Sequence, residues 1–177
     1  MRRTVLLLLL AGFGLVFAPA CGRKGALVLP APRLPLTVDC LAAVAAEGAV
    51  VLSWTNPVKD TSGRPLSALR AVEIWIFEKG LPEGAERLGG EAIEKTARLM
   101  RTVPQREFAA LAVAGSAPGA LTITVPPASL PAGADKIAFA VRVRDGRGRA
   151  SEFAGPVAVE ISRRVAGVDR PAPEGVS

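Results

Sequence analysis

The 177-residue chain contains no histidine and no tyrosine, only two cysteines, and just 5 % aromatic residues. Without histidine there is no imidazole to ligate a metal, to act as a base near neutral pH, or to activate a serine or cysteine nucleophile. Acid–base work would fall to carboxylates and lysines. Yet Asp39, Glu47, Asp60, Glu73 and Asp135 are scattered with no paired spacing. No Gly-rich phosphate loop follows a strand-like run. The "DTSG" at 60–63 has too few oxygen ligands at EF-hand spacing and reads as a turn. The scarcity of aromatics leaves no platform for stacking sugars beyond a single segment. A formal net charge of +6 comes without a nucleic-acid motif or a concentrated basic face. The expectation is a chain that is not an enzyme, with no metal, no cofactor, no nucleic-acid partner and no small-molecule substrate.

One long hydrophobic run is present, at the N-terminus. Arg2 and Arg3 precede Val5-Leu6-Leu7-Leu8-Leu9-Leu10 and an apolar stretch to Phe17, the charge and hydropathy pattern of a secretory signal. A spanning helix needs roughly 20 apolar residues, and Pro19 interrupts this one earlier. Export through residues 1–20 is therefore expected. Ala18-Pro19-Ala20 offers an ordinary small-residue cleavage site. The same bond precedes Cys21, and "CGRKG" resembles the start of a bacterial lipoprotein, in which the cysteine is acylated and becomes the new N-terminus. Ala18 departs from that pattern, where leucine is usual. The resemblance implies lipidation at Cys21, with several acyl chains holding the protein firmly to a membrane. Cys40 would then be a lone thiol packed as a small hydrophobe; under ordinary cleavage a Cys21–Cys40 disulfide becomes available.

Past the anchor, residues 21–35 read as a tether ending in the proline-punctuated "LVLPAPRLP", and 163–177 as a loose tail. Between them, period-2 alternation marks strands at Ala49–Thr55, Ala71–Phe77, Leu121–Val125, Ile137–Val143 and Val157–Ile161. Short alternating strands separated by turn residues predict an all-β sandwich or barrel over 36–162. The phase places Leu52, Trp54, Val72, Ile74, Phe139 and Val141 inward. It sends Trp75, Phe77, Arg142 and Arg144 to the outer face.

These strands resemble a fibronectin type III domain. "VVLSWTNP" is similar to its second strand with the buried tryptophan, here Trp54, and "FAVRVRDGRGRAS" to its sixth strand and following loop. The likeness implies a sandwich of about seven strands. The family's corner tyrosine is absent, and Ile137 stands in its place. Residues 78–120 are longer than the matching part of that family. A helix over Glu91–Ala97, an edge strand over Arg98–Val103 and a flexible loop over 109–120 are expected there, between the third and fifth strands. This insertion is either a binding element or a lid over the sheet.

The functional expectation is a membrane-anchored envelope lipoprotein displaying the sandwich as a protein-binding or structural module. Trp75, Phe77, Arg142 and Arg144 form the candidate surface for an envelope partner; the other reading makes that ladder a mere cover. Gly22, where an inner-membrane retention signal would place aspartate, points to an outer-membrane, periplasm-facing location. A second reading comes from "CGRKGALVLP" (21–30), which resembles the start of small lipoproteins that assemble the lipopolysaccharide translocon, although Ala26 stands where proline is usual.

Overall fold

A computed structural model describes residues 31–82, 84 and 88–161. The signal, Cys21, most of the tether and the tail lie outside these residues. The compact unit that begins at Arg33 is built from two antiparallel sheets.

The first sheet joins β1 (Asp39–Ala46), β2 (Ala49–Thr55) and β5 (Ala120–Val125) in the order β1-β2-β5. The second joins β3 (Leu69–Phe77), β4 (Arg98–Pro104), β6 (Lys136–Asp145) and β7 (Ala154–Glu160) in the order β4-β3-β6-β7. The chain is thus a seven-stranded all-β sandwich. Alternation fixes its register: Leu52 faces Ile123 and Trp54 faces Leu121 across β2–β5, while Val72 faces Val143 and Ile74 faces Val141 across β3–β6. All of these side chains meet in one buried core, together with Val50, Ile76, Phe139 and Ile137. The Trp54 indole fills the centre and donates from Nε1 to Asn56 Oδ1 at 3.0 Å, so the one polar atom of that ring is satisfied. Ile137, which the likeness set at the corner position, is fully buried in this core.

β1 was not evident as a strand. It is an edge made of "DCLAAVAA", in which Leu41, Ala43 and Ala45 lean on the core while Ala42, Val44 and Ala46 are exposed. Alanine on both faces gives little hydropathy contrast to read. At its start Cys40 takes φ 53° and is exposed, with no disulfide among the described residues. That corrects the expectation of a packed hydrophobe: the bulge between Asp39 and Ala42 turns the residue out of the strand's alternation.

Between β3 and β5 the chain forms α1 (Gly90–Thr96), β4, a 3₁₀ turn at Gln105–Glu107 and a single helical turn, α2 (Phe108–Leu111). The expected loop from residue 109 is therefore partly ordered. Phe108 and Leu111 pack on the main core, and Val113 N donates to Ala120 O at 3.2 Å. Among the described residues no helix is long and apolar enough to cross a membrane.

Candidate functional site

The outer face of the four-stranded sheet carries Glu73, Trp75 and Phe77 from β3 and Ala138, Ala140, Arg142 and Arg144 from β6. The sequence phase placed these residues on one side of the sheet, and the structure brings them together there. It does not leave them open. α1 lies over the face, with Ile93 and Ala97 packed against Phe77, Ala138 and Ala140 in a second buried cluster. Alanines at 138 and 140 present only a methyl group, which lets the helix approach the sheet.

The expectation of a partner-facing ladder at Trp75, Phe77, Arg142 and Arg144 is corrected in this respect. Phe77 is 1 % and Arg142 9 % exposed; Trp75 is half-buried, and Arg144 keeps a third of its side chain in solvent. The physical reason is α1, whose one large apolar residue, Ile93, covers the sheet, with Leu81 and Leu88 packed beside it. Period 2 reports which side of a strand a residue occupies, not what lies above it.

Burying an arginine requires compensation, and the site supplies it. Arg142 Nε donates to Glu73 Oε2 at 2.6 Å, its Nη1 donates to Glu94 of α1, and Arg144 Nε donates to the other oxygen of Glu73. The guanidinium lies 5.3 Å from the Trp75 ring centre and 4.7 Å from that of Phe153, and the two rings meet edge to face at 5.6 Å. Arg142 is thus clamped between two aromatic faces and two carboxylates. Burial alone would push the Glu73 carboxyl up, but the hydrogen bonds and charges of Arg144 and Arg142 outweigh it and hold it below the usual carboxylate range. Phe153, which completes this clamp, gave no signal in the sequence because it lies in a loop outside any periodic run. The Trp75 Nε1 is buried without a hydrogen-bond partner among the described residues.

A second grouping lies at one end of the sandwich, where the β2–β3 and β6–β7 loops meet: Gly146 N donates to Ala68 O at 3.2 Å. Each loop contains Asp-x-x-Gly-Arg, at 60–64 and 145–149. Each Asp folds its loop in the same way. Asp60 Oδ1 accepts from the amides of Ser62 and Arg64, and Asp145 Oδ1 from those of Arg147 and Arg149. Gly63 and Gly148 then turn the chain at φ 78° and 81°, a region that favours glycine. The 60–63 turn is therefore built by a carboxylate that closes on its own backbone. Hydrogen bonding from the Ser62 hydroxyl, opposed by burial, lowers the Asp60 carboxyl. Burial would raise that of Asp145, but Arg149 and the loop amides prevail and lower it. Among the described residues no three His, Cys, Asp or Glu side chains group closely enough to hold a metal ion.

A cleft of 470 Å³ opens between the turn after β3 and the end of α1. Lys79, Leu81, Lys95 and Arg98 line it, and Glu78 on its wall is already paired with Arg98 at 2.6 Å. It contains none of the four candidate partner-surface residues.

No protein-family model matches the chain, and no curated protein does. Among solved structures, the chain is similar to the spore cortex lytic enzyme SleM of Clostridium perfringens, with 14 % identity and a TM-score of 0.41, over 71 % of this chain and 28 % of that one. It is also similar to a DUF3823 family protein from Bacteroides ovatus, with 9 % identity and a TM-score of 0.41, over 70 % of this chain and 53 % of that one. The chain thus spans about half or less of the length of these neighbours.

Proposed function

We propose that the protein is a membrane-anchored envelope lipoprotein whose fibronectin type III-like sandwich serves as a protein-binding or structural module. The observation that carries this reading is the junction of two features of one chain. An apolar signal ending at Cys21 is followed, after a short Pro-bearing tether, by a self-sufficient sandwich with its own closed core. The fibronectin-like part rests on the strand order β1-β2-β5 facing β4-β3-β6-β7 with a central buried tryptophan. The anchor part rests on the sequence around Cys21. Outer-membrane residence facing the periplasm rests on Gly22 following that cysteine.

The covered Trp75–Arg142 clamp favours a structural role for that face, with α1 as its lid. Partners must then meet the protein at its exposed loops and sheet edges. The test is to replace Cys21 by Ser in the native host and follow acyl labelling and membrane fractionation. The proposal expects loss of the lipid label and an uncleaved or released protein. An unlabelled wild-type chain that still fractionates with membranes would overturn it. Crosslinking of the wild-type protein in intact envelopes, followed by capture, then identifies the partner.

A further inference from the structure

The loop end of the sandwich exposes Arg33, Lys59, Arg64, Arg70, Arg106 and Arg147. None of these six cations makes an ion pair among the described residues. The acidic residues of the same loops are spent internally: Asp60 and Asp145 are buried and accept hydrogen bonds from loop amides. Glu107 is paired with Arg101 at 2.8 Å, whereas Glu152 is exposed and makes no ion pair among the described residues. Asp39 is the one exposed carboxylate near the first sheet's edge at this end. The opposite end is different. There the cations Lys95 and Arg98 are paired with Glu91 and Glu78, and the exposed cations Lys79 and Lys136 are offset by the exposed carboxylates Glu47, Asp135 and Glu160. Exposed, unpaired cations of the described body therefore outnumber exposed carboxylates at the loop end and not at the opposite one.

That pole is also where the chain enters. Thr61 N donates to Leu34 O at 2.8 Å, and Leu36 N to Lys59 O at 3.1 Å, so the entering segment is stitched to the β2–β3 loop itself. Any anchor at Cys21 pulls on the sandwich at its basic end. The chain between Cys21 and Leu34, even fully extended at about 3.6 Å per residue, reaches no more than about 47 Å. An anchored molecule thus keeps its cationic loops within a short distance of the bilayer carrying the anchor. A surface of anionic headgroups attracts basic residues over about a Debye length, roughly 8–10 Å at physiological salt.

We propose that the loop end is a docking surface for anionic phospholipid headgroups of the membrane in which the chain is anchored. The inference rests on the lipid-anchor reading above. It adds an orientation: loops 56–68 and 145–151 face the bilayer, while the opposite pole and the open cleft beside α1 face away. The arginine side chains at 64 and 147 are free for this contact, since only their backbone amides serve the loop turns.

The full-length protein, purified from its own membranes in detergent, is reconstituted into vesicles of phosphatidylcholine alone or with phosphatidylglycerol. Flotation with both vesicle types reports the anchor. Acylation of lysine amines then compares Lys59 at the loop end with Lys95 at the other pole, which serves as an internal reference. The expected result is a Lys59-to-Lys95 labelling ratio at least about five-fold lower with phosphatidylglycerol, restored in about 0.5 M salt because screening removes long-range attraction. The Arg64→Glu, Arg147→Glu double variant should float normally yet lose the protection. If the protein floats with both vesicles and the ratio is equal in them, the docking inference is wrong while the anchor stands. If it floats with neither, the anchor reading fails and the inference falls with it. A ratio unchanged in vesicles but lowered in native envelope fragments would assign the loop end to a protein or glycan and overturn the lipid assignment.

Discussion

Trp54 and Arg142 show two ways in which a single residue holds this fold. Trp54 is 2 % exposed at the centre of the main core, with its indole nitrogen bonded to Asn56. Truncating a buried tryptophan costs about 3–5 kcal/mol. Against a total stability of roughly 5–15 kcal/mol, Trp54→Ala should lower the melting temperature by at least about 10 °C. A shift of a couple of degrees would place the indole outside the core. Arg142 contributes differently. Removing it leaves Glu73 buried with only Arg144 as partner, and an uncompensated buried charge is costly.

The carboxylates of Glu73 and Asp145 also give stability a pH dependence. Both are held below their ordinary range in the folded chain, Glu73 by Arg144 and Arg142, and Asp145 by Arg149 and its loop amides. A group whose folded-state pKa is depressed contributes stability that is present above the unfolded value, about 4 for carboxylates. That contribution is lost as pH falls through the lower folded-state values. The melting temperature should therefore be nearly constant from pH 7 to about pH 5 and fall steeply below about pH 4. Asp145→Asn, which keeps an oxygen for the loop amides but no charge for Arg149, should flatten part of that fall. An acid limb identical in the variant would show that Asp145 titrates alike in folded and unfolded chains.

Among the elements, α1 is the one whose stability is borrowed. Seven residues make a helix too short to persist alone in water. It is held by Ile93 beneath it and by Glu94 on Arg142. Ile93→Ala, a truncation worth about 2–5 kcal/mol at a buried site, should release the 78–97 segment while the main core survives. Limited proteolysis should then cut that segment at least about ten-fold faster, since cleavage follows the population of the opened form, with a far smaller change in the sandwich's melting temperature. Unchanged cleavage would mean that the segment is held by something other than Ile93.

Legibility also varied by element. β2, β3, β5 and β6 place a large aliphatic or aromatic residue at nearly every second position, so the sequence revealed both their positions and their inward faces. α1 and β4 were readable from helix formers followed by a short strand pattern. β1 was not, because alanine occupies both of its faces, and α2 was not, because "FAAL" is too short to show a period. The outer face shows the limit most clearly. The phase that placed Trp75 and Arg142 there came from local alternation, while the lid that buries them depends on a contact with Ile93 far along the chain. The paired Asp-x-x-Gly-Arg loops were visible as letters. That they lie side by side at the entrance to the sandwich followed only from the strand order.

For the whole molecule, the central claim is that one end of this sandwich is tethered to a membrane through Cys21. Under the proposal, the excess of cations at the loop end and the entry of the chain among those loops give the body a side that faces the membrane. The intact mass of the mature protein, isolated from its native membrane and fragmented at its N-terminus, tests that claim most directly. The account expects a chain that begins at Cys21, carries acyl chains on that residue and retains a reduced Cys40. A chain beginning at an unmodified Cys21, or one with Cys21 bridged to Cys40, would contradict it.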